Sequence, residues 1–210
     1  MIEAVIFDLD GVIVSTDALH YQAWKTIAHQ EGIEFNQEIN HRLRGVSRME
    51  SLEIILEKAS KRYTDHEKLT LATLKNNLYV ELLTHLSDKD ILPGVMDVLD
   101  ELKKKNIKIA IGSSSKNTPM ILKQIGLSHT FDAVADGNDV SRSKPFPDVF
   151  LKASEKLKIA SYHCVVVEDA EAGIEAAKRA GMIACALSDA RKSSRADYRF
   201  TDIRELLSLL

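Results

Sequence analysis

A doubly wound α/β fold, interrupted after its first strand by an all-helical segment, is what this sequence predicts, and three observations predict it. From Leu92 onward, short apolar runs rich in β-formers alternate with stretches of helical periodicity. That alternation specifies a parallel sheet with right-handed crossovers. Residues 17–90 contain no proline, only Gly32 and Gly45 among the glycines, and helical periodicity throughout. Polar clusters then recur at the ends of the apolar runs, which is where open α/β sheets bind ligands.

The elements follow in order. Ala4–Phe7 is short, apolar and β-prone, a buried strand. Asp17 is placed to cap a helix reaching Gln30, with Gly32 at its exit. Ser47, with Glu50 three residues on, has the capping-box pattern for a second helix. A longer helix covers about 65–85. Pro93-Gly94 opens a helix to about Lys105, followed by a strand at Ile107–Ile111 and, after a polar loop over 112–117, a helix to about Ile125. A short strand near Ala133–Ala135 leads through loop 141–148 to a helix that Asp148 is placed to cap. The strand Cys164–Val167 ends in Glu168-Asp169, and a helix runs to about Ala180. The strand Ile183–Leu187 precedes a polar loop and a last helix over 203–210. The expected division is a Rossmann-like core built from 1–15 and 92–210, with a helical domain over 16–91.

Composition narrows the function. The 210 residues suffice to bury a core, and 45% hydrophobic with 28% charged residues is ordinary for a globular protein. A formal net charge of −3 argues against a nonspecific nucleic-acid binder. The two cysteines, Cys164 and Cys185, each lie in an apolar run and read as reduced core residues. The N-terminus lacks the pattern of a signal peptide, and no apolar run approaches the roughly 18 residues of a membrane span. The expectation is a cytoplasmic protein, a monomer for want of an obvious interface stripe.

Chemistry is concentrated at the strand ends. Asp8 and Asp10 are two apart on an extended segment, so both would point past the end of the first strand while Leu9 turns into the core. Paired carboxylates repel unless a cation or proton intervenes, and a hard cation such as Mg²⁺ suits an all-oxygen site. Asp and Gly are also common turn residues, so the segment alone admits a plain turn. Ser113 follows the second strand, and Ser114, Ser115, Lys116 and Asn117 open a helix whose N-terminus suits an anion; helix capping is the plainer reading. Lys144 precedes Pro145-Phe146-Pro147, whose prolines restrict the backbone around it. Glu168-Asp169 closes a buried strand, as metal ligands or as helix caps.

The order Asp-x-Asp, Ser, Lys, Glu-Asp, each at a strand end, resembles the haloacid dehalogenase superfamily over essentially the whole chain. The resemblance implies that Asp8 is a nucleophile and Asp10 a general acid/base. It implies that Ser113 binds the phosphoryl group and that Lys144 neutralises charge. Asp8, Asp10, Glu168 and Asp169 would hold Mg²⁺, and the helical insert would be a mobile cap. Within the insert, Thr16-Asp17-x-x-His20-x-x-x-Trp24, Leu43-Arg44-Gly45-Val46-Ser47-Arg48-x-x-Ser51 and Lys75-Asn76-x-x-Tyr79, with Ser113 to Asn117, are similar to the β-phosphoglucomutase family. Members interconvert β-glucose 1-phosphate and glucose 6-phosphate through β-glucose 1,6-bisphosphate. By that resemblance Arg48, Ser115, Lys116 and Asn117 grip the phosphate distal to Asp8, and His20, Trp24, Gly45, Val46, Ser51 and Lys75 line the sugar side. Cap packing would equally explain Trp24, and solvent exposure His20, whereas Arg48 at a helix start opposes the macrodipole and so favours a ligand role. Ser15 stands where the family often has Asp, in the expected hinge. The alternatives are a broad-range sugar-phosphate phosphatase and a non-enzymatic binding module.

Overall fold

The computed structural model describes residues 2–210. Six parallel strands form one sheet in the order β3-β2-β1-β4-β5-β6: β1 (Ala4–Phe7), β2 (Lys108–Gly112), β3 (Ala133–Ala135), β4 (Cys164–Glu168), β5 (Ile183–Ala186) and β6 (Tyr198–Arg199). β1 is central. Phe7 is level with Ile111 on one side and with Val167 on the other, so the residues that follow these three strands emerge together at one edge. The strand order reverses between β1 and β4, the place where such sheets bind ligands.

Alternation along β1 assigns the two faces. Val5 and Phe7 join a cluster with Val98, Leu99 and Leu102 of α5 (Val95–Lys104) and Ile121 and Leu122 of α6 (Thr118–Gln124). Ala4 and Ile6 pack with Phe150 and Ala153 of α7 (Asp148–Leu157) and Ile174 and Ala177 of α8 (Glu171–Arg179). Both faces of the sheet are thus covered, which explains why its strands are continuously apolar rather than alternating.

Between β1 and α5 lie α1 (Asp17–Gln30), α2 (Gln37–His41), α3 (Arg48–Leu56) and α4 (Asp65–Leu83). Trp24, Ile27, Ile39, Leu52, Ile55 and Leu71 gather there in a hydrophobic cluster of their own. Ala23, Tyr79 and Leu83, from α1 and α4, pack instead into the sheet's cluster and tie the two layers together. α3 begins with the expected capping box, Ser47 and Glu50 exchanging bonds with each other's backbone N–H. α4 has the same device in Thr64 and Glu67.

Several local expectations are corrected. Asp17 is the first residue of α1, not its cap; its carboxylate accepts from Asn40 and Arg44 instead. Asp148 likewise lies inside α7 after Pro147, and it pairs with Arg142 at 3.0 Å. The second strand starts one residue late, because the Ile107 N–H bonds back to the Leu102 carbonyl and completes the exit of α5. α2 was not expected; Asn36 caps it. The C-terminal helix is a 3₁₀ helix over Ile203–Leu209, and residues 188–192 form another. Among the described residues no helix is long and apolar enough to cross a membrane. Both cysteines are buried and free.

Candidate active site

Asp8, Glu168 and Asp169 meet where β1 and β4 end, each offering a carboxylate oxygen within 4.8 Å of the others. Lys144 Nζ lies between two of them, 2.5 Å from Asp8 Oδ1 and 2.5 Å from Glu168 Oε1. Lys144 and Glu168 are both 0% exposed. Glu168 is further fixed by the backbone N–H groups of Asp169 and Ala170, which donate to its Oε2. Burial alone would lower the Lys144 amine, but the Asp8 and Glu168 carboxylates hold it above its ordinary value. Burial, with the Asp8 carboxylate, pushes Glu168 up to about 7, although Lys144 opposes the shift. Asp169 rises to about 9 from burial and the repulsion of Glu168, Asp8 and Asp10. Carboxylates crowded this closely fit a hard cation with all-oxygen ligands.

Two glycines make this crowding possible. A Cβ on Gly173 would lie 1.9 Å from the Glu168 carboxylate, and one on Gly11, whose φ is +86°, would lie 2.2 Å from Asp169 Oδ2. Neither glycine was singled out from the sequence for this purpose.

Asp10 lies beside the Asp8, Glu168 and Asp169 group, with its carboxylate turned to Thr16. Its Oδ1 accepts from the Thr16 N–H at 2.7 Å and its Oδ2 from the Thr16 hydroxyl at 2.6 Å. The Tyr79 hydroxyl in turn donates to Thr16 Oγ1. Asp10 keeps 32% of its side-chain surface open, so it still faces the cleft. Desolvation there, opposed by the Thr16 bonds, pushes its carboxyl up to about 6.

His20 stacks on Tyr79, ring centroids 4.0 Å apart, with Nε2 3.7 Å from Asp10 Oδ2. Its Nδ1 is 2.7 Å from Lys75 Nζ. That amine lies over the rings of Trp24 and Tyr79 and is 2% exposed. Burial, reinforced by the charge of Arg48, lowers Lys75 to about 7. Trp24 therefore serves the helical core and the cleft wall together.

The loop after β2 is self-bracing. Ser113 Oγ accepts from Ser115 N–H and Ser115 Oγ from Asn117 N–H, which leaves both hydroxyl protons free to donate. Asn117 donates to Asn76 of α4, and Ser114 donates to the Gly45 carbonyl. Lys116 is exposed. Arg48, at the start of α3, has no ion-pair partner among the described residues, and burial lowers its guanidinium from the ordinary value.

These groups share one cavity of about 800 Å³ between the sheet edge and the helices. Of the residues expected at the site, Gly45, Val46, Ser51 and the others named above all line it except Lys144 and Glu168, which lie beneath its floor. Sequence reasoning gave no site role to Thr16, Tyr79, Asn76, Arg44, Glu50 or Ser143. Tyr79 and Asn76 had a signal in their spacing from Lys75.

A parallel sheet with Asp8 after β1, Ser113 after β2, Lys144 in the loop after β3 and Glu168-Asp169 at the end of β4 defines a class. The model of the haloacid dehalogenase-like hydrolases matches residues 5–187, and the chain belongs to that family. It is 45% identical to the β-phosphoglucomutase of Bacillus subtilis over 197 residues, covering 93% of this chain and 87% of that one. A phosphorylated carbohydrates phosphatase of Thermotoga maritima is 33% identical, covering 86% and 82%. The crystal structure of a β-phosphoglucomutase from Clostridium difficile superposes with a TM-score of 0.92 at 38% identity, covering 99% of this chain and 96% of that one. The chain is thus a homologue of β-phosphoglucomutases.

Proposed function

We propose that the protein interconverts β-D-glucose 1-phosphate and glucose 6-phosphate by way of a phosphorylated Asp8 and bound β-glucose 1,6-bisphosphate. The observation that carries this reading is a single cavity with two anion-binding ends. Lys144 and the acidic cluster stand at one end, and Arg48 with the 113–117 loop at the other. A phosphatase needs the first end; a mutase that holds a bisphosphate needs both.

Asp8, Glu168 and Asp169, with Asp10 beside them, would hold Mg²⁺, which when bound supplies positive charge against the phosphoryl oxygens. Asp8 Oδ attacks the phosphorus of a sugar phosphate, the P–O bond to the sugar breaks, and the phosphoryl group rests on Asp8. Lys144, already held by Asp8, offsets the charge of the approaching phosphoryl group, and the Ser113 hydroxyl donates to one of its oxygens. Asp10 delivers a proton to the leaving sugar oxygen and takes one from the hydroxyl that attacks next. A carboxyl near pH 6 suits both roles, since each protonation state is populated near neutrality. Arg48, Ser115, Lys116 and Asn117 grip the distal phosphate. His20, Trp24, Gly45, Val46, Ser51 and Lys75 face the sugar ring. The helices over 16–91 act as a cap that must close to keep water from the phosphorylated Asp8. Phosphorylated sugars as substrates and two buried free thiols support a cytoplasmic setting.

Phosphorus NMR with Mg²⁺, β-glucose 1-phosphate and a trace of the bisphosphate tests the reading. Glucose 6-phosphate as main product, with the α anomer inert, is the expected result. Inorganic phosphate as main product would make the protein a phosphatase. Asp8→Ala should abolish both products and should take up no label from acetyl phosphate.

A further inference from the structure

The helices meet the sheet layer around the cleft mouth at a few polar contacts, and one of them has no part in the reading above. Asp189 Oδ2 lies 2.7 Å from Arg44 Nη1 and 2.8 Å from His41 Nε2. Arg44 also reaches Asp17 Oδ2 at 3.2 Å. One carboxylate of the core thus gathers the Arg44 and His41 side chains from the helical segment, besides Lys192 of its own turn at 3.4 Å.

Asp189 is well supported for such a task. Its turn hangs from the backbone of the acidic cluster: Leu187 N–H donates to the Glu168 carbonyl and Ala190 N–H to the Asp169 carbonyl. On the other side, Arg44 immediately precedes Gly45, whose φ is +76° and whose added Cβ would come within 3.1 Å of Ala170 Cβ. The turn at residues 44–47 is therefore seated on Ala170, next to Asp169, with Arg48 beginning α3 just beyond it. Isolated surface pairs contribute little. Besides Lys192, this carboxylate serves two partners from the helical segment, 31% exposed for Arg44 and 54% for His41, and that contact joins two layers of the molecule.

We propose that Asp189 is a positioning residue for phosphoryl transfer. By holding Arg44 and His41 it keeps the 44–47 turn down over the acidic cluster, and so decides whether the phosphoryl group leaves Asp8 for a sugar or for water. The inference rests on the mutase reading above. In either branch the Asp8–phosphorus bond breaks as a new oxygen–phosphorus bond forms. A hydroxyl of the bound sugar phosphate passes its proton to Asp10 and yields the bisphosphate; water loses its proton in the same way and yields inorganic phosphate. Loosening the turn admits water without touching any group that bonds to the phosphoryl.

The test is the product ratio in phosphorus NMR, with β-glucose 1-phosphate and the bisphosphate, for the wild type, Asp189→Asn and His41→Gln. For Asp189→Asn the ratio of inorganic phosphate to glucose 6-phosphate should rise about threefold to tenfold, the span of one or two partly exposed ion pairs. KM for the sugar phosphate should rise, while phosphorylation by acetyl phosphate stays at the wild-type rate. His41→Gln should shift the ratio the same way by a smaller factor. A branching ratio does not depend on how much protein is folded, so a loss of stability alone would leave it unmoved. An unchanged ratio in both variants overturns the proposal. Wild-type protein that makes no glucose 6-phosphate overturns the mutase reading instead, and that failure is visible before any variant is made.

Discussion

The sheet edge and the helical segment treat charge in opposite ways. At the edge charges are paired internally: Lys144 is held between Asp8 and Glu168, and Glu168 also takes two backbone N–H groups. In the helices, Arg48 and Lys75 face the same cavity with no carboxylate of their own among the described residues, although each is at least half buried. Unpaired buried cations are costly, so a fold that keeps two of them at a cleft is arranged for an anion from outside. The difference teaches a division of labour, with a reaction centre fixed in advance and a binding wall completed by its ligand.

Breaking the fixed side should have the largest effect. Lys144→Met leaves Asp8 and Glu168 buried without their cation. Turnover should fall on the order of 10³-fold. Removing one member of a buried pair also costs about 3–5 kcal/mol. Initial rates and thermal unfolding with and without Mg²⁺ check both expectations, and added Mg²⁺ should restore part of the stability but not the rate. Breaking the binding wall should be more selective. Arg48→Ala should reduce sugar-phosphate interconversion on the order of 10²-fold and leave acetyl phosphate hydrolysis within a few-fold of wild type. Equal losses in the two reactions would sink the two-ended model.

A steric change at the sheet edge comes next. Gly173 lies inside α8, where alanine ordinarily stabilises a helix by about 1 kcal/mol. Here the new Cβ would overlap the Glu168 carboxylate, so Gly173→Ala should destabilise by about 1–3 kcal/mol and weaken Mg²⁺ binding. Calorimetry and metal titration measure these, and a stabilised variant would refute the close approach.

What was legible in the sequence follows the same division. The sheet-edge residues could be placed because parallel strands with apolar runs deliver their carboxyl ends to one edge, so sequence order becomes spatial order. The α3 cap was legible because Ser47 and Glu50 are three residues apart and satisfy each other locally. Asp17 and Asp148 were misassigned as caps for the converse reason: each has a long-range or loop partner, Arg44 or Arg142, that outcompetes a helix N-terminus. The support of Asp10 was not legible, because Thr16 reaches it from across a turn and Tyr79 braces Thr16 from α4, 63 positions on. Asp189 had no signal at all, since a lone carboxylate in a polar loop acquires meaning only when His41 and Arg44 fold against it. The two-residue β6 is too short to leave a periodic trace.

The smallest expected effect concerns Lys75, and it is a stability effect with a pH signature. Burial lowers its amine from 10.5 to about 7. Between those values the unfolded chain binds a proton that the folded chain does not, so stability attributable to this residue rises with pH across that window. Below about 7 both states carry the proton and the burial cost is fully present; above about 10.5 neither does and the cost has vanished. Lys75→Met keeps the volume beside Trp24 and Tyr79 and removes the charge. It should therefore raise the melting temperature most at pH 6–7, by the equivalent of about 1–2 kcal/mol, and the advantage should shrink steadily as the pH approaches 10. The same variant should lose turnover, because the amine that destabilises the empty cleft is one that faces the substrate. A melting-temperature gain that is flat with pH would mean that Lys75 keeps an ordinary amine in the folded state, and its place in the binding wall would then lose its electrostatic basis.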